Sequence, residues 1–135
     1  MPGKAHLRLG DLIHAALACD VCAVRRLLDD GLDPGIANAQ GFTALHFAAQ
    51  ARCAAVISLL LHAGAHVDPR DDWGNTPLSW AVFHARGEIA AVAVLLAAGA
   101  DPDAPNHVGV TPRELAERLG ADKLTALFAQ GTARG

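Results

Sequence analysis

Tyrosine is absent from this chain, and its aromatic content is limited to four phenylalanines and two tryptophans. Long apolar runs are missing as well: no stretch approaches the ~18 residues of a membrane span, which excludes a spanning helix. Basic residues are not in excess. With a net charge of -3 and lysines and arginines scattered rather than striped, the electrostatic footprint of a nucleic-acid binder is lacking. Catalytic signatures are lacking too: there is no G-x-S-x-G motif, no glycine-rich phosphate loop behind a strand and no H-E-x-x-H. Gly120-Ala121-Asp122-Lys123 ends in lysine but does not have P-loop spacing. These absences lead us to expect a non-enzymatic protein without a cofactor.

What the chain does have is a recurring phrase. Gly41-Phe42-Thr43-Ala44-Leu45-His46, Gly74-Asn75-Thr76-Pro77-Leu78-Ser79 and Gly109-Val110-Thr111-Pro112-Arg113-Glu114 follow one another at intervals of 33 and 35 residues. Ten residues before each leading glycine stands another, Gly31, Gly64 and Gly99, closing an apolar run such as Val94-Leu95-Leu96-Ala97-Ala98. Stepping back 33 residues from Ala48-Ala49 and Leu60-Leu61 lands on Ala15-Ala16 and Leu27-Leu28, so the frame reaches the N-terminal part of the chain. Each copy reads as helix, turn, helix, loop. Thr43 is placed to cap a first helix with its hydroxyl, and Pro77 and Pro112 sit at the first helical turn, where a missing N–H costs nothing. The second helices, Ala54 to His62 and Ile89 to Ala98, are apolar nearly all round, as suits a helix packed on both sides. The intervening Gly/Asp/Pro-rich segments read as protruding loops. A content of 52% hydrophobic residues with positive mean hydropathy excludes general disorder.

The period and the phrase Thr43-Ala44-Leu45-His46-Phe47-Ala48-Ala49, with Thr76-Pro77-Leu78-Ser79-Trp80-Ala81 and Gly99-Ala100-Asp101-Pro102-Asp103, resemble the ankyrin repeat. The resemblance covers about 125 residues. It implies an all-α solenoid of helix-turn-helix layers with finger loops, a single domain over 1–135 with repeats at about 8–40, 41–73, 74–108 and 109–130. The end repeats depart from the pattern, since Gly10-Asp11-Leu12-Ile13 replaces the threonine phrase and the last copy stops at Leu127-Phe128 before any finger. In the family, the imidazole matching His46 hydrogen-bonds neighbouring loop backbone; Ser79 and Glu114 stand at that position in later copies.

Three cysteines, Cys19, Cys22 and Cys53, cannot all pair within one chain, and a reducing cytoplasm is their simplest setting. Cys19-Asp20-Val21-Cys22 has C-x-x-C spacing, and the register sets Cys53 against Asp20 in the next layer. A metal- or redox-responsive protein using these three cysteines is therefore the alternative functional reading. Lys4 and Arg8 before an apolar stretch ending Ala16-Leu17-Ala18-Cys19 faintly resemble a lipoprotein signal, which would export the chain or anchor it through Cys19. Asp11 and His14 interrupt that stretch, and the same residues serve as the first helix. Seven histidines, His6, His14, His46, His62, His66, His84 and His107, read as composition rather than as a pH sensor. The Ala-rich, tyrosine-free composition points to a small bacterial protein.

In ankyrin-like proteins the partner-facing positions flank the finger glycine and follow the paired alanines. The resemblance assigns those positions to Ala39, Gln40, Phe42, Gln50 and Ala51; to Asp72, Trp73, Asn75, Phe83 and His84; and to His107, Val108, Val110, Arg118 and Leu119. Phe42, Trp73 and Phe83 carry half of the aromatic residues, and exposed aromatics are frequent hot spots. Phe42 and Phe83 have a second option, folding back against adjacent layers. The third repeat is two residues longer, which enlarges its inter-helix turn at Ala85-Arg86. Insertions of this kind often mark the binding face. The expected function is a monomeric, non-catalytic adaptor or inhibitor holding a protein partner, without nucleic acid or membrane, on a surface centred on Trp73, Phe83, His84 and Arg86.

Overall fold

A computed structural model describes residues 4–133, with side chains described over residues 9–129. Among the described residues eight helices run in order: α1 (Lys4–Leu17), α2 (Val21–Asp29), α3 (Ala44–Gln50), α4 (Ala54–His62), α5 (Pro77–Phe83), α6 (Ala90–Ala97), α7 (Pro112–Arg118) and α8 (Asp122–Ala133). They pair as four antiparallel hairpins. α1, α3, α5 and α7 pack side by side in one layer, and α2, α4, α6 and α8 form the second behind it. The expected all-α solenoid is therefore the observed architecture.

Local chemistry explains the helix limits. Thr76 Oγ1 accepts from the Ser79 N–H at 3.4 Å and Thr111 Oγ1 from the Glu114 N–H at 3.0 Å, with Pro77 and Pro112 at the next position. At the second repeat the cap is built differently. The Thr43 N–H donates to His46 Nδ1 at 3.0 Å, and the Thr43 hydroxyl lies 3.1 Å from the same ring nitrogen. The second helices α4 and α6 each end two residues ahead of a glycine, Gly64 and Gly99, both left-handed, a conformation glycine adopts without a Cβ penalty.

The core fills with small aliphatic side chains because no large aromatic is available for most layers. Leu45, Ala48 and Ala49 of α3 and Leu78, Ala81 and Val82 of α5 meet Val56, Ile57 and Leu60 of α4 and Val92 and Leu95 of α6, all essentially water-free. Each such leucine contributes about 2 kcal/mol from burial. Phe128 and Leu124 of α8 and Ala116 of α7 continue the core into the last hairpin.

Two sequence expectations are corrected. Helix α1 starts at Lys4, so Gly10-Asp11-Leu12-Ile13 lies inside a helix and does not begin one. No threonine or proline halts the chain there, and Leu12, Ala15 and Ala16 form one continuous buried face. The side chains of Lys4, His6 and Arg8, on which the signal-like reading drew, lie outside the described residues. The cysteines are not all reduced: Cys19 and Cys53 form a disulfide with Cα atoms 5.7 Å apart, joining the first two inter-helix turns, and Cys22 is an exposed free thiol. The three thiolates therefore do not converge, and among the described residues no group of three or more His, Cys, Asp or Glu is placed to hold a metal ion. With its sulfur in the disulfide, Cys19 also has no thiol free to accept a lipid.

Among the described residues no strand forms, and the loops contain one isolated bridge, Ala37 to Thr43. Among the described residues no helix is long and apolar enough to cross a membrane.

Candidate functional site

Each finger is tied by one Asx side chain at the same register position. Asn38 Oδ1 accepts from Gln40 and Phe42 N–H, Asp71 Oδ1 from Trp73 and Asn75 N–H, and Asn106 Oδ1 from Val108 and Val110 N–H, all at 2.9–3.1 Å. A side-chain oxygen two residues upstream thus imposes the turn on the loop. The fingers are then bonded to each other: the Asp72 N–H donates to Gln40 O and the His107 N–H to Trp73 O, both at 2.9 Å. This holds the tips Gln40, Trp73 and Val108 in a row.

Asp71 does more than its asparagine counterparts. It is buried, and its second oxygen accepts from the Trp80 indole N–H at 2.9 Å. That bond sets the Trp80 ring, which stacks on His84 with centroids 5.6 Å apart and an interplanar angle of 13°. Phe42 joins the same cluster, its ring 5.4 Å from both Phe47 and Trp80 and 5.9 Å from Trp73. Phe42 is thus half-buried and folds back, the second of its two options, because the Trp80 indole offers it an edge-on partner.

Phe83 and Trp73 remain in solvent, with 61% and 57% of their surfaces exposed. Both are large apolar rings on the side lined by first helices and fingers. Between α5 and α7 lies a groove of about 360 Å³ lined by Asn75, Ser79, Trp80, Phe83, His84, Asn106, Val110, Leu115 and Arg118. It brings together five of the expected positions: Asn75, Phe83, His84, Val110 and Arg118. Arg118, one of its lining residues, pairs with Glu114 at 2.7 Å. Gln40 and Asp72 are exposed at fingertips outside the groove, Gln50 is half-buried at the end of α3, and His107 is exposed. Arg86 is exposed on the enlarged turn and lines a separate pocket of about 460 Å³. Trp80, Asn106, Leu115 and Ser79 were missed as lining residues. A signal existed for Trp80, since Asp71 replaces asparagine at the one finger whose following helix carries a tryptophan.

Asn75 is also structural. Its Oδ1 accepts from Asn106 Nδ2 at 3.0 Å, and its carbonyl accepts from His46 Nε2 at 3.0 Å. Because the Thr43 N–H can only donate to Nδ1, the His46 proton resides on Nε2 and the ring is neutral. Burial pushes the His46 pKa below the usual imidazole range, opposed more weakly by the Asn75 carbonyl and Asp71. Burial, then Arg86 and Arg52, lower His84 in the same direction. A lowered folded pKa means that below about pH 6.5 the unfolded chain binds protons the folded chain resists, so stability falls with acid and is flat above that value. Urea denaturation should therefore show a lower midpoint at pH 5.5 than at 7.5, and His46→Gln should reduce that difference; a variant with the full wild-type pH dependence would remove His46 from the account.

The groove's wall offers rings, amides, a hydroxyl and one paired guanidinium. Such a surface supplies apolar contact and directional hydrogen bonds, the composition of a binding site.

A family model described as ankyrin repeats, in three copies, matches residues 12–106. A putative ankyrin repeat protein of Rickettsia bellii (strain RML369-C) is 34% identical over 126 residues, covering 92% of this chain and 68% of that protein. Serine/threonine-protein kinase 12 of Arabidopsis thaliana is 38% identical over 107 residues, covering 78% of this chain and 23% of the kinase. Protein PhlB of Serratia liquefaciens is 41% identical over 106 residues, covering 78% of this chain and 46% of that protein. The chain thus spans less than half the length of the last two relatives. The fourth hairpin, α7 and α8, continues the stack beyond the matched segment.

Proposed function

Since the chain belongs to the ankyrin repeat family, whose repeats serve generally as protein-interaction modules, we propose that it is a non-catalytic adaptor or inhibitor that holds a protein partner along α5 and α7. The observation carrying this reading is the groove of about 360 Å³ with Phe83, 61% exposed, at its rim. A monomeric soluble domain gains nothing from presenting a phenylalanine and a tryptophan to water on one side unless another surface covers them. Preorganisation supplies the mechanism. The bonded fingers and the Asp71–Trp80–His84 chain fix the wall before the partner arrives, so little ordering entropy is lost on binding.

The kinase relative does not argue for catalysis, because the match covers 23% of its length. Four repeats of a bacterial protein, with boundaries near 8–40, 41–73, 74–108 and 109–130, remain our reading of the organisation. Cytoplasmic residence fits the Cys19–Cys53 bond poorly, since such bonds persist in oxidising compartments. We place the working protein where disulfides survive, and thiol counting on protein taken from its native source tests this.

A partner captured from native extract with the chain as bait, identified by mass spectrometry and then purified, gives the affinity to be followed. Phe83→Ala combined with Trp73→Ala should weaken its Kd by tenfold or more, with a midpoint of unfolding close to wild type because both rings are mostly in water. Undiminished affinity in that variant would refute the placement.

A further inference from the structure

Among the described residues, three that are not glycine have a left-handed backbone: Cys19 with φ 56°, Arg52 with φ 58° and Arg86 with φ 48°. All three stand in inter-helix turns. L side chains rarely adopt that conformation without a return, and for two of them the return is visible. Cys19 is bonded to Cys53 of the next turn. Arg52 reaches the turn after that: Nη1 donates to His84 O at 3.2 Å and Nε lies 3.5 Å from Glu88 Oε2. Each thus ties its turn to the following one.

Arg86 has no such bond. It is exposed, and among the described residues no carboxylate or carbonyl pairs with it. The next turn, Leu119-Gly120-Ala121, presents Ala121 seven residues before Phe128, the register place that Glu88 holds seven residues before Leu95. The register position that Glu88 fills for Arg52 therefore holds no carboxylate for Arg86. Beside it lies the pocket of about 460 Å³, lined by Phe83, Ile89, Leu119 and Leu124 together with Arg86 and Lys123. Asp122 is the one anion that also lines it, and Glu88 nearby is engaged by Arg52.

We propose that this pocket receives an apolar side chain from a partner segment that carries a carboxylate beside it, and that the carboxylate pairs with Arg86. The ligand class is an acidic, aliphatic peptide segment. This rests on the reading of the chain as a binding module, and adds to the α5–α7 groove a second contact of defined charge reached across Phe83, which lines both.

The test uses the full chain and three short capped peptides with the central sequences Leu-Asp-Leu, Leu-Asn-Leu and Leu-Lys-Leu, titrated with amide resonances followed by NMR. The Leu-Asp-Leu peptide should shift Gly87, Leu119 and Gly120, bind about tenfold more tightly than the Leu-Asn-Leu peptide, and weaken as salt rises. Arg86→Gly should erase the tenfold preference while keeping or raising thermal stability, because glycine is the residue at the left-handed position of the last turn. Arg86→Lys should keep part of the preference. Equal binding of the acidic and amide peptides, or shifts confined to Trp80, Val110 and Leu115, would overturn the proposal. The latter pattern leaves the groove reading standing, whereas a captured partner that binds a Trp73→Ala, Arg118→Ala variant normally removes the groove reading and not this one, since neither residue lines this pocket.

Discussion

Reduction of the Cys19–Cys53 disulfide is expected to lower the midpoint of thermal unfolding by roughly 10 °C. The bond closes a loop with a sequence separation of 34 residues. A cross-link over a loop of that size removes about 4 kcal/mol worth of freedom from the unfolded chain. Its location makes the effect larger in consequence than in magnitude. Among the described residues the hairpin α1–α2 packs against α3 and α4 alone, and α2 contributes a single fully buried side chain, Val24. Leu27 and Leu28 are only partly covered. A layer so thinly packed depends on its covalent tie. Because repeats in a solenoid are stabilised mainly by their neighbours, the loss should be local. Amide exchange should accelerate in α1 and α2 and stay unchanged in α5 through α8. Calorimetry with and without reductant measures the shift, and Cys19→Ala should reproduce it and be insensitive to reductant. A midpoint that does not move would show that packing alone holds the first hairpin.

The disulfide also marks where the sequence stops being readable. Register places Cys53 beside the turn holding Cys19 and Cys22, and that neighbourhood is correct. Which thiol pairs depends on a Cα separation that periodicity does not supply, and it is the left-handed Cys19 that meets Cys53 while Cys22 turns outward as part of α2. Helices α2 to α7 were legible because each carries at least one local signal: a threonine start, a proline in the first turn or a glycine after the end. Helix α1 has none of these, and its N-terminal extension to Lys4 was invisible for that reason. At the site, Trp73 was legible as exposed from its fingertip position, whereas for Phe83 exposure and folding back stood open together, and the ring stays in solvent. Phe42 occupies an equally outward position, yet its ring turns in. That choice is made by Trp80, 38 residues further along the chain, and by Asp71, whose second oxygen fixes the indole. Side-chain direction set by a neighbouring layer is a tertiary property, and no pattern within one repeat encodes it.

The same dependence of one layer on the next predicts the second large effect. Gly74 and Gly109 occupy the same place in successive fingers and have the same left-handed backbone, φ 80° and 85°. For both, alanine incurs the steric penalty of that conformation, about 1–2 kcal/mol. At Gly109 nothing lies within 4 Å of the added Cβ, so the cost should end there. At Gly74 the Cβ would meet His107 Cδ2 at 2.6 Å and His107 N at 2.9 Å. The ring can rotate away, but the backbone nitrogen is held by its bond to Trp73 O, and moving it breaks the link between two fingers. Gly74→Ala should therefore lose about 1–3 kcal/mol beyond Gly109→Ala, from the unmade hydrogen bond and the displaced loop. Urea denaturation of the two variants gives the difference, and equal losses would contradict it. The separation also reaches function, since the Trp73–His107 link sets the spacing of the fingers over the α5–α7 groove. Partner affinity should fall in Gly74→Ala even under conditions where the variant is fully folded, whereas Gly109→Ala should keep it.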